Sequence, residues 1–293
     1  MQDIEKLEKA ISDLEDILAN PKRIKQIIIF ELKEVIKKYA KPRKTEIIYD
    51  SDIEEEKEED DIPDYPVHIF FSREGYFKKI TPQSLRMSNS NKLKDGDEII
   101  QTAETTNSVE ILFFTNKCQV YKTRAANFED SKASSLGDYV AAKLEMEEGE
   151  VPVYMALTSD YSGYMLFFFE NGKVAKVSMS SYQTITKRKK LIKAYSDKAP
   201  IVDILYIKED CDLVITSTAG RHLLVNTGAI STKTTKDTAG VNVMTLKKYH
   251  TVQGVRFYKE GEFVKPHRYK TKTLPAAGAL LSADDTAEQL SLE

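Results

Sequence analysis

The chain has 293 residues, 41 % of them hydrophobic and 30 % charged, enough for two modest soluble domains or one large all-β domain and unlike collagenous or globally disordered chains. No apolar run approaches the roughly 18 residues that span a bilayer, and the acidic opening MQDIEKLEK lacks signal-peptide chemistry, so the cytoplasm is the expected compartment and no membrane partner is expected. Cys118 and Cys211, without CxxC spacing, read as buried free thiols, and four scattered histidines give no zinc pattern.

The net charge of −3 conceals segregation along the chain. Residues 43–64 hold 3 basic and 11 acidic side chains, and residues 271–293 hold 1 and 4. Residues 65–270 hold 30 basic against 23 acidic, so a basic body lies between acidic flanks. This distribution predicts a polyanionic partner for the body.

Two helices open the chain. Ile4, Leu7, Ile11, Leu14 and Leu18 alternate spacings of three and four, a heptad stripe. Asn20-Pro21 stops this helix and starts the next, with Asn20 as cap and Pro21 at the first position, where a missing N–H costs nothing. A second stripe runs through Ile24, Ile28, Leu32, Val35 and Tyr39. Residues 1–42 therefore read as the helical, coiled-coil end of a stalk. Residues 43–64 carry the run DSDIEEEKEEDDIPD, whose self-repulsion favours a disordered acidic linker.

Residues 65–270 repeat one pattern four times, an apolar run, a tight turn and a second strand: VHIFFSREGYFKKI, VEILFFTNKCQVYKT, YMLFFFENGKVAKV and CDLVITSTAGRHLLV. The turn anchors Gly75, Cys118, Gly172 and Gly220 are 43, 54 and 48 residues apart, the length a four-stranded blade and its loops consume. Glycine supplies the positive φ of a hairpin turn, so Cys118 implies a different turn in the second repeat. The fold class is mainly β, a propeller-like disc of four-stranded blades; residues 252–270 either complete a blade or add a partial fifth. Residues 271–293 read as a flexible acidic tail.

No catalytic constellation stands out. The phosphate loop GxxxxGK[ST], the elbow GxSxG and the zinc helix HExxH are absent, and the carboxylates of LEMEEGE suit a solvated turn. Basic residues recur instead. Four positions after successive anchors stand Lys79, Lys122, Lys176 and Leu224, which rotation from blade to blade would set in an arc; Lys78, Arg124, Lys173 and Arg221 add charge to the same strands. The polar connections that follow hold Arg86, Lys92 and Lys94, then Lys132, then Lys187, Arg188, Lys189, Lys190 and Lys193, then Lys233 and Lys236. Such spacing suits phosphate contacts with counterion release, and aromatics confined to apolar runs favour duplex DNA over single strands. The competing explanations are lysines that protect strand edges from aggregation and, for the whole body, a protein-interaction scaffold with solubilising lysines. A hydrolytic enzyme is disfavoured.

These features resemble the C-terminal part of the A subunit of bacterial type IIA topoisomerases, the gyrase A and topoisomerase IV A (ParC) family. IKQIIIFELKEVIKKYAKPRKTEI is similar to the end of that family's stalk, REGYFKKI and ENGKVAKV to its blade hairpins, and TKDTAGVNVMTLKK to a connection through Gly240 and Val241. The resemblance implies a β-pinwheel that bends or wraps duplex DNA. It implies no catalysis by this stretch, because the Ala-Arg-Tyr-Thr-like setting of the nucleophilic tyrosine is missing, and no cofactor within it. The parent, an ATP-dependent type II topoisomerase, uses ATP and Mg²⁺ through other domains. Its partners are its own catalytic domains, the ATPase B subunit, and a second copy of the A subunit, in the bacterial cytoplasm at the nucleoid. The gyrase box Gln-Arg-Arg-Gly-Gly-X-Gly is replaced by RMSNSNKLKDG from Arg86 to Gly96, which leans the expectation toward topoisomerase IV.

Overall fold

Each apolar run and tight turn folds as an antiparallel hairpin, and four such hairpins build the body of the computed structural model, which describes residues 2–41, 63–87, 91–184 and 189–285. In the first repeat β1 (Pro66–Ser72) pairs with β2 (Tyr76–Ile80), and β3 (Ile99–Thr106) flanks β1. The second has β4 (Glu110–Thr115) and β5 (Val120–Arg124), then β6 (Asp138–Tyr139) in the connection and β7 (Pro152–Thr158) against β4. The third comprises β8 (Tyr164–Phe169), β9 (Lys173–Ser178), β10 (Lys190–Leu191) and β11 (Ile201–Ile207). In the fourth follow β12 (Asp212–Ser217), β13 (Arg221–Asn226), β14 (Thr232–Lys233), β15 (Val241–Asn242) and β16 (Val252–Phe257), and last comes β17 (Ala279–Leu280).

The connection of each later repeat completes the blade before it. β6 pairs with β2, β10 with β5, and β14 and β15 with β9, so the outer strand of a blade belongs to the next repeat. The result is four blades in a propeller-like ring with exchanged strands. Gly137 and Gly240 enter these outer strands at φ +85° and +75°, and a Cβ there would lie 2.4 Å from the Phe77 carbonyl oxygen or 2.5 Å from the Val174 backbone. Only glycine lets the incoming chain press this close to the receiving strand.

Burial explains why the middle strands are apolar throughout rather than alternating. In β4, Ile111 and Phe113 enter the core shared by blades one and two, while Leu112 and Phe114 enter the core shared by blades two and three. In β8, Phe167 and Phe169 face blade two, and Leu166 and Phe168 face blade four. β1 alternates, with Val67, Ile69 and Phe71 buried but His68 and Phe70 half-buried, since only one of its faces meets another blade's buried cluster.

Two expectations are corrected. Cys118 does not change its turn: it adopts φ 55° and its N–H donates to the Thr115 carbonyl at 3.2 Å, as Gly75 does to Ser72 at 3.1 Å. Hydrogen bonding within the hairpin imposes the left-handed conformation on a residue that disfavours it. Both cysteines are free, and both are half-buried rather than fully enclosed. Second, residues 271–285 are not a flexible tail. β17 pairs with β13 as the outer strand of blade four, and Tyr258, Phe263, Tyr269 and Leu281 cover Val214 and Leu224 on that blade. Asp285, 1 % exposed, ties the segment down by accepting from the Val264 N–H at 2.7 Å and from the Tyr269 and Ser282 hydroxyls. Aromatic burial and a satisfied carboxylate thus order a stretch whose composition is acidic and polar. Residues 286–293 and most of the 43–64 linker lie outside the described residues.

The inner strands are latched blade to blade. The Gln101 side chain accepts from Met155 N–H at 2.7 Å and donates to its carbonyl at 2.9 Å, and the Tyr154 hydroxyl accepts from Tyr206 N–H at 2.8 Å. Strands β3, β7 and β11 line a cavity of about 830 Å³. On β11, burial pushes the Asp203 carboxyl up to about 6. The folded state therefore holds the proton more tightly than the unfolded chain, and stability falls as pH rises through the interval from the ordinary value near 4 to about 6. Asp203→Asn is expected to remove about 1 to 3 kcal/mol of this pH dependence, read as the difference between urea melts at the two ends of that interval.

The N-terminal unit is a pair of helices, α1 (Gln2–Ala19) and α2 (Pro21–Tyr39). Asn20 caps α2 by accepting from Lys22 N–H at 3.2 Å, with Pro21 in the first turn. Arg23 joins the pair by donating to Asp16 and Asp13 at 2.5 and 2.9 Å. The stripe residues Ile4, Leu7, Ile11, Leu14 and Leu18 are all exposed. Among the described residues, no helix is long and apolar enough to cross a membrane.

Candidate nucleic-acid interface

The lysines that recur in the hairpins do not form a surface. Lys79 and Lys176 are 2 % and 3 % exposed. The Lys79 amine donates to Asn107 Oδ1 at 2.7 Å, pairs with Asp130 at 3.2 Å and lies 5.8 Å from the Tyr65 ring centre. Lys176 pairs with Asp210 at 2.5 Å, donates to the Thr227 carbonyl at 3.1 Å and sits over Tyr164. Lys122 is half-buried, donates to Thr184 Oγ1 at 3.1 Å and lies over Tyr161; burial pulls its ammonium below the ordinary lysine range. Lys78 is buried as well and staples the connections by donating to the Ala133 and Lys92 carbonyls. Leu224, fully buried at the same place in blade four, shows what the position demands: an apolar stem under the incoming outer chain. Regular spacing marked a packing site here, and the expected arc of hairpin lysines is thereby corrected.

This structural role has a measurable consequence. Lys176→Met keeps the stem but removes the ammonium, leaving Asp210 with the Thr227 hydroxyl and the Thr227 carbonyl with the Ile230 N–H as donors, an expected loss of about 1 to 3 kcal/mol in chemical denaturation. Binding to a polyanion by the folded variant should be unchanged.

The connections behave differently. Arg86, Lys92, Lys94, Lys132, Lys189 and Lys193 are exposed. Lys92 and Lys132 come together on the outer edge of blade one, because Lys92 N–H donates to the Ala133 carbonyl at 2.8 Å. Lys94 lies 3.5 Å from Glu74, and both side chains are about half exposed, where such a pair contributes little. Lys173, Lys233 and Lys236 are half-buried, the last over the Tyr182 ring. Arg221 donates to the Gly278 carbonyl at 2.8 Å, and Arg124 lines the cavity of β3, β7 and β11 beside Glu110. Lys190 is held by Glu147 at 2.7 Å, so the acidic LEMEEGE turn neutralises part of the densest basic run. Lys187 and Arg188 lie outside the described residues.

The sequence reading missed Lys247 and Lys248, both exposed, and with them Tyr249, an aromatic that is 90 % exposed rather than packed in a strand. It also left out Lys265, Arg268, Lys270 and Lys272, which are exposed on the segment covering blade four. Comparing EGEFVKP with EGYFKKITP would have shown that segment to continue the repeat.

A ring of four-stranded blades whose outer strands come from the following repeat defines a β-pinwheel with exposed cations on its edges. The fold is shared with the C-terminal domain of DNA topoisomerase IV, at a TM-score of 0.64 and 20 % identity over 74 % of this chain and 73 % of that one. The E. coli ParC C-terminal domain aligns at a TM-score of 0.56 and 14 % identity, covering 74 % and 94 %. No family model matches the chain. Relatives by sequence include the gyrase A protein of Streptococcus pneumoniae, 28 % identical over 230 residues, and that of Staphylococcus epidermidis, 26 % identical over 255. These matches cover 75 % and 84 % of this chain but only 28 % of each relative. The chain is therefore similar in sequence to part of DNA gyrase A, and its β unit shares the fold of the topoisomerase IV and ParC C-terminal domains.

Proposed function

We propose that the pinwheel binds duplex DNA along the outer edges of its blades, as the C-terminal domain of a type II topoisomerase A subunit. The observation that carries this reading is the placement of exposed cations without ion pairs among the described residues: Lys92 and Lys132 meet on the outer edge of blade one, and Lys189 and Lys193 flank β10, the outer strand of blade two. A rigid duplex follows such an edge through its phosphates, and a bend of 40 to 90° costs about 1 to 6 kcal/mol, offset by those contacts. The lysines buried in the hairpins contribute stability instead.

The stretch carries no chemistry itself. In the parent enzyme, the catalytic domains of two A subunits together with an ATPase B subunit supply strand passage with ATP and Mg²⁺, in the bacterial cytoplasm at the nucleoid. A topoisomerase IV-like role is favoured over gyrase because RMSNSNKLKDG replaces the gyrase box.

The test is duplex binding across a salt series, followed by ligation of nicked plasmid on the protein. Binding that weakens steeply with salt, with ligated topoisomers at unchanged linking number, is the expected result. Absence of binding at low salt would leave the protein-interaction scaffold as the better reading, and a shift in linking number would point to gyrase-type wrapping.

A further inference from the structure

We propose that residues 266–281 form the DNA-contact station on the outer edge of blade four, added by a reduced fifth repeat that has lost its own blade; the inference rests on the duplex reading above. The segment retraces a connection step by step. Gly261, at φ +86°, stands where EGYFKKITP has Gly75, in a turn that Glu262 N–H closes onto the Lys259 carbonyl, one residue later than in the hairpins and without their strands. A 3-10 turn follows at Pro266–Arg268, as others follow β5, β9 and β13. Lys270 then makes a parallel bridge to Leu224, as Asp130 does to Lys79 and as Thr232 does to Lys176. Gly278, at φ +66°, passes so close to β13 that a Cβ would lie 2.7 Å from the His222 carbonyl oxygen, the approach made by Gly137 and Gly240. Then β17 pairs antiparallel with β13.

This register fixes where the cations stand. Lys272 is two residues beyond its bridge, as Lys132 is two residues beyond Asp130, so the two lysines occupy equivalent places on the edges of blades four and one. Lys265 pairs with Asp284 at 3.2 Å and Lys270 with Asp212 at 2.9 Å. Arg268 and Lys272 are exposed and make no ion pair among the described residues. The chemistry is that of two phosphate contacts beyond the last complete repeat, on the blade edge that a duplex following the earlier edges reaches next.

The experiment compares the full chain with Arg268→Gln/Lys272→Gln and with Lys92→Gln/Lys132→Gln, titrating a fluorescent duplex of about 40 base pairs at several salt concentrations. Each phosphate contact contributes about 0.9 to the slope of log K against log salt, so Arg268→Gln/Lys272→Gln is expected to flatten it by about 1.8. Hydroxyl-radical protection should shorten at one end of the footprint, with an unchanged melting temperature. A folded Arg268→Gln/Lys272→Gln protein that keeps the wild-type slope and footprint, while Lys92→Gln/Lys132→Gln loses slope, would overturn the blade-four station and leave the duplex reading intact. No binding by the wild-type chain would overturn both. Should Arg268→Gln/Lys272→Gln melt early, Lys272→Gln alone is read in the same way, with an expected flattening of about 0.9.

Discussion

Replacing Lys92, Lys132, Lys189 and Lys193 together with glutamine is expected to lower duplex affinity about 100-fold or more at roughly 100 mM salt and to flatten the salt slope by about 2 to 4. All four side chains are exposed, and no ion pair among the described residues neutralises them. The loss should be similar for unrelated duplex sequences, because phosphate contacts position a protein without reading bases. Folding should be unaffected, since exposed lysines without partners leave nothing buried and unpaired. Filter binding or anisotropy across a salt series measures both quantities. An unchanged slope in the folded variant would remove the connections from the interface and return weight to the scaffold reading.

Phe113→Ala is the substitution expected to damage the fold most. Phe113 is fully buried on the middle strand of blade two, with ring centres of Phe71, Phe77 and Phe128 at 5.7, 5.8 and 6.1 Å. It contributes to the core that joins blades one and two, and truncation to alanine leaves a cavity that rigid β-sheets on both sides relax into poorly. A loss of about 3 to 5 kcal/mol is expected in urea denaturation, a large part of the roughly 5 to 15 kcal/mol available to a domain. Phe70→Ala, on the outward, half-buried face of β1, should cost far less. Similar losses for the two would mean that blade one is packed on both faces.

Much of the architecture follows from local chemistry. Asn20-Pro21 ends one helix and caps the next because both effects act within a few residues. Gly75, Gly172 and Gly220 make hairpins because a positive φ is needed at those turns and glycine supplies it. The unbroken apolar runs of β4 and β8 imply strands buried on both faces, and the spacing of the anchors sets the blade count.

The fate of the charges was decided elsewhere. Lys79 and Lys92 look alike in the chain, yet one is buried under Tyr65 with Asn107 and Asp130 while the other is exposed on an edge. Asn107 is 28 residues away from Lys79, and Glu147 is 43 residues away from Lys190. The tail was misread for the same reason: Tyr258, Phe263 and Tyr269 look sparse along the chain, and only the uncovered face of blade four turns them into a core. Periodicity and turn chemistry report forces within a few residues, so the sequence determined the strands, the turns and the repeat. Burial and ion pairing depend on distant strands that exchange between blades, so only the tertiary structure separated the lysines that hold the pinwheel together from those left free to meet a phosphate.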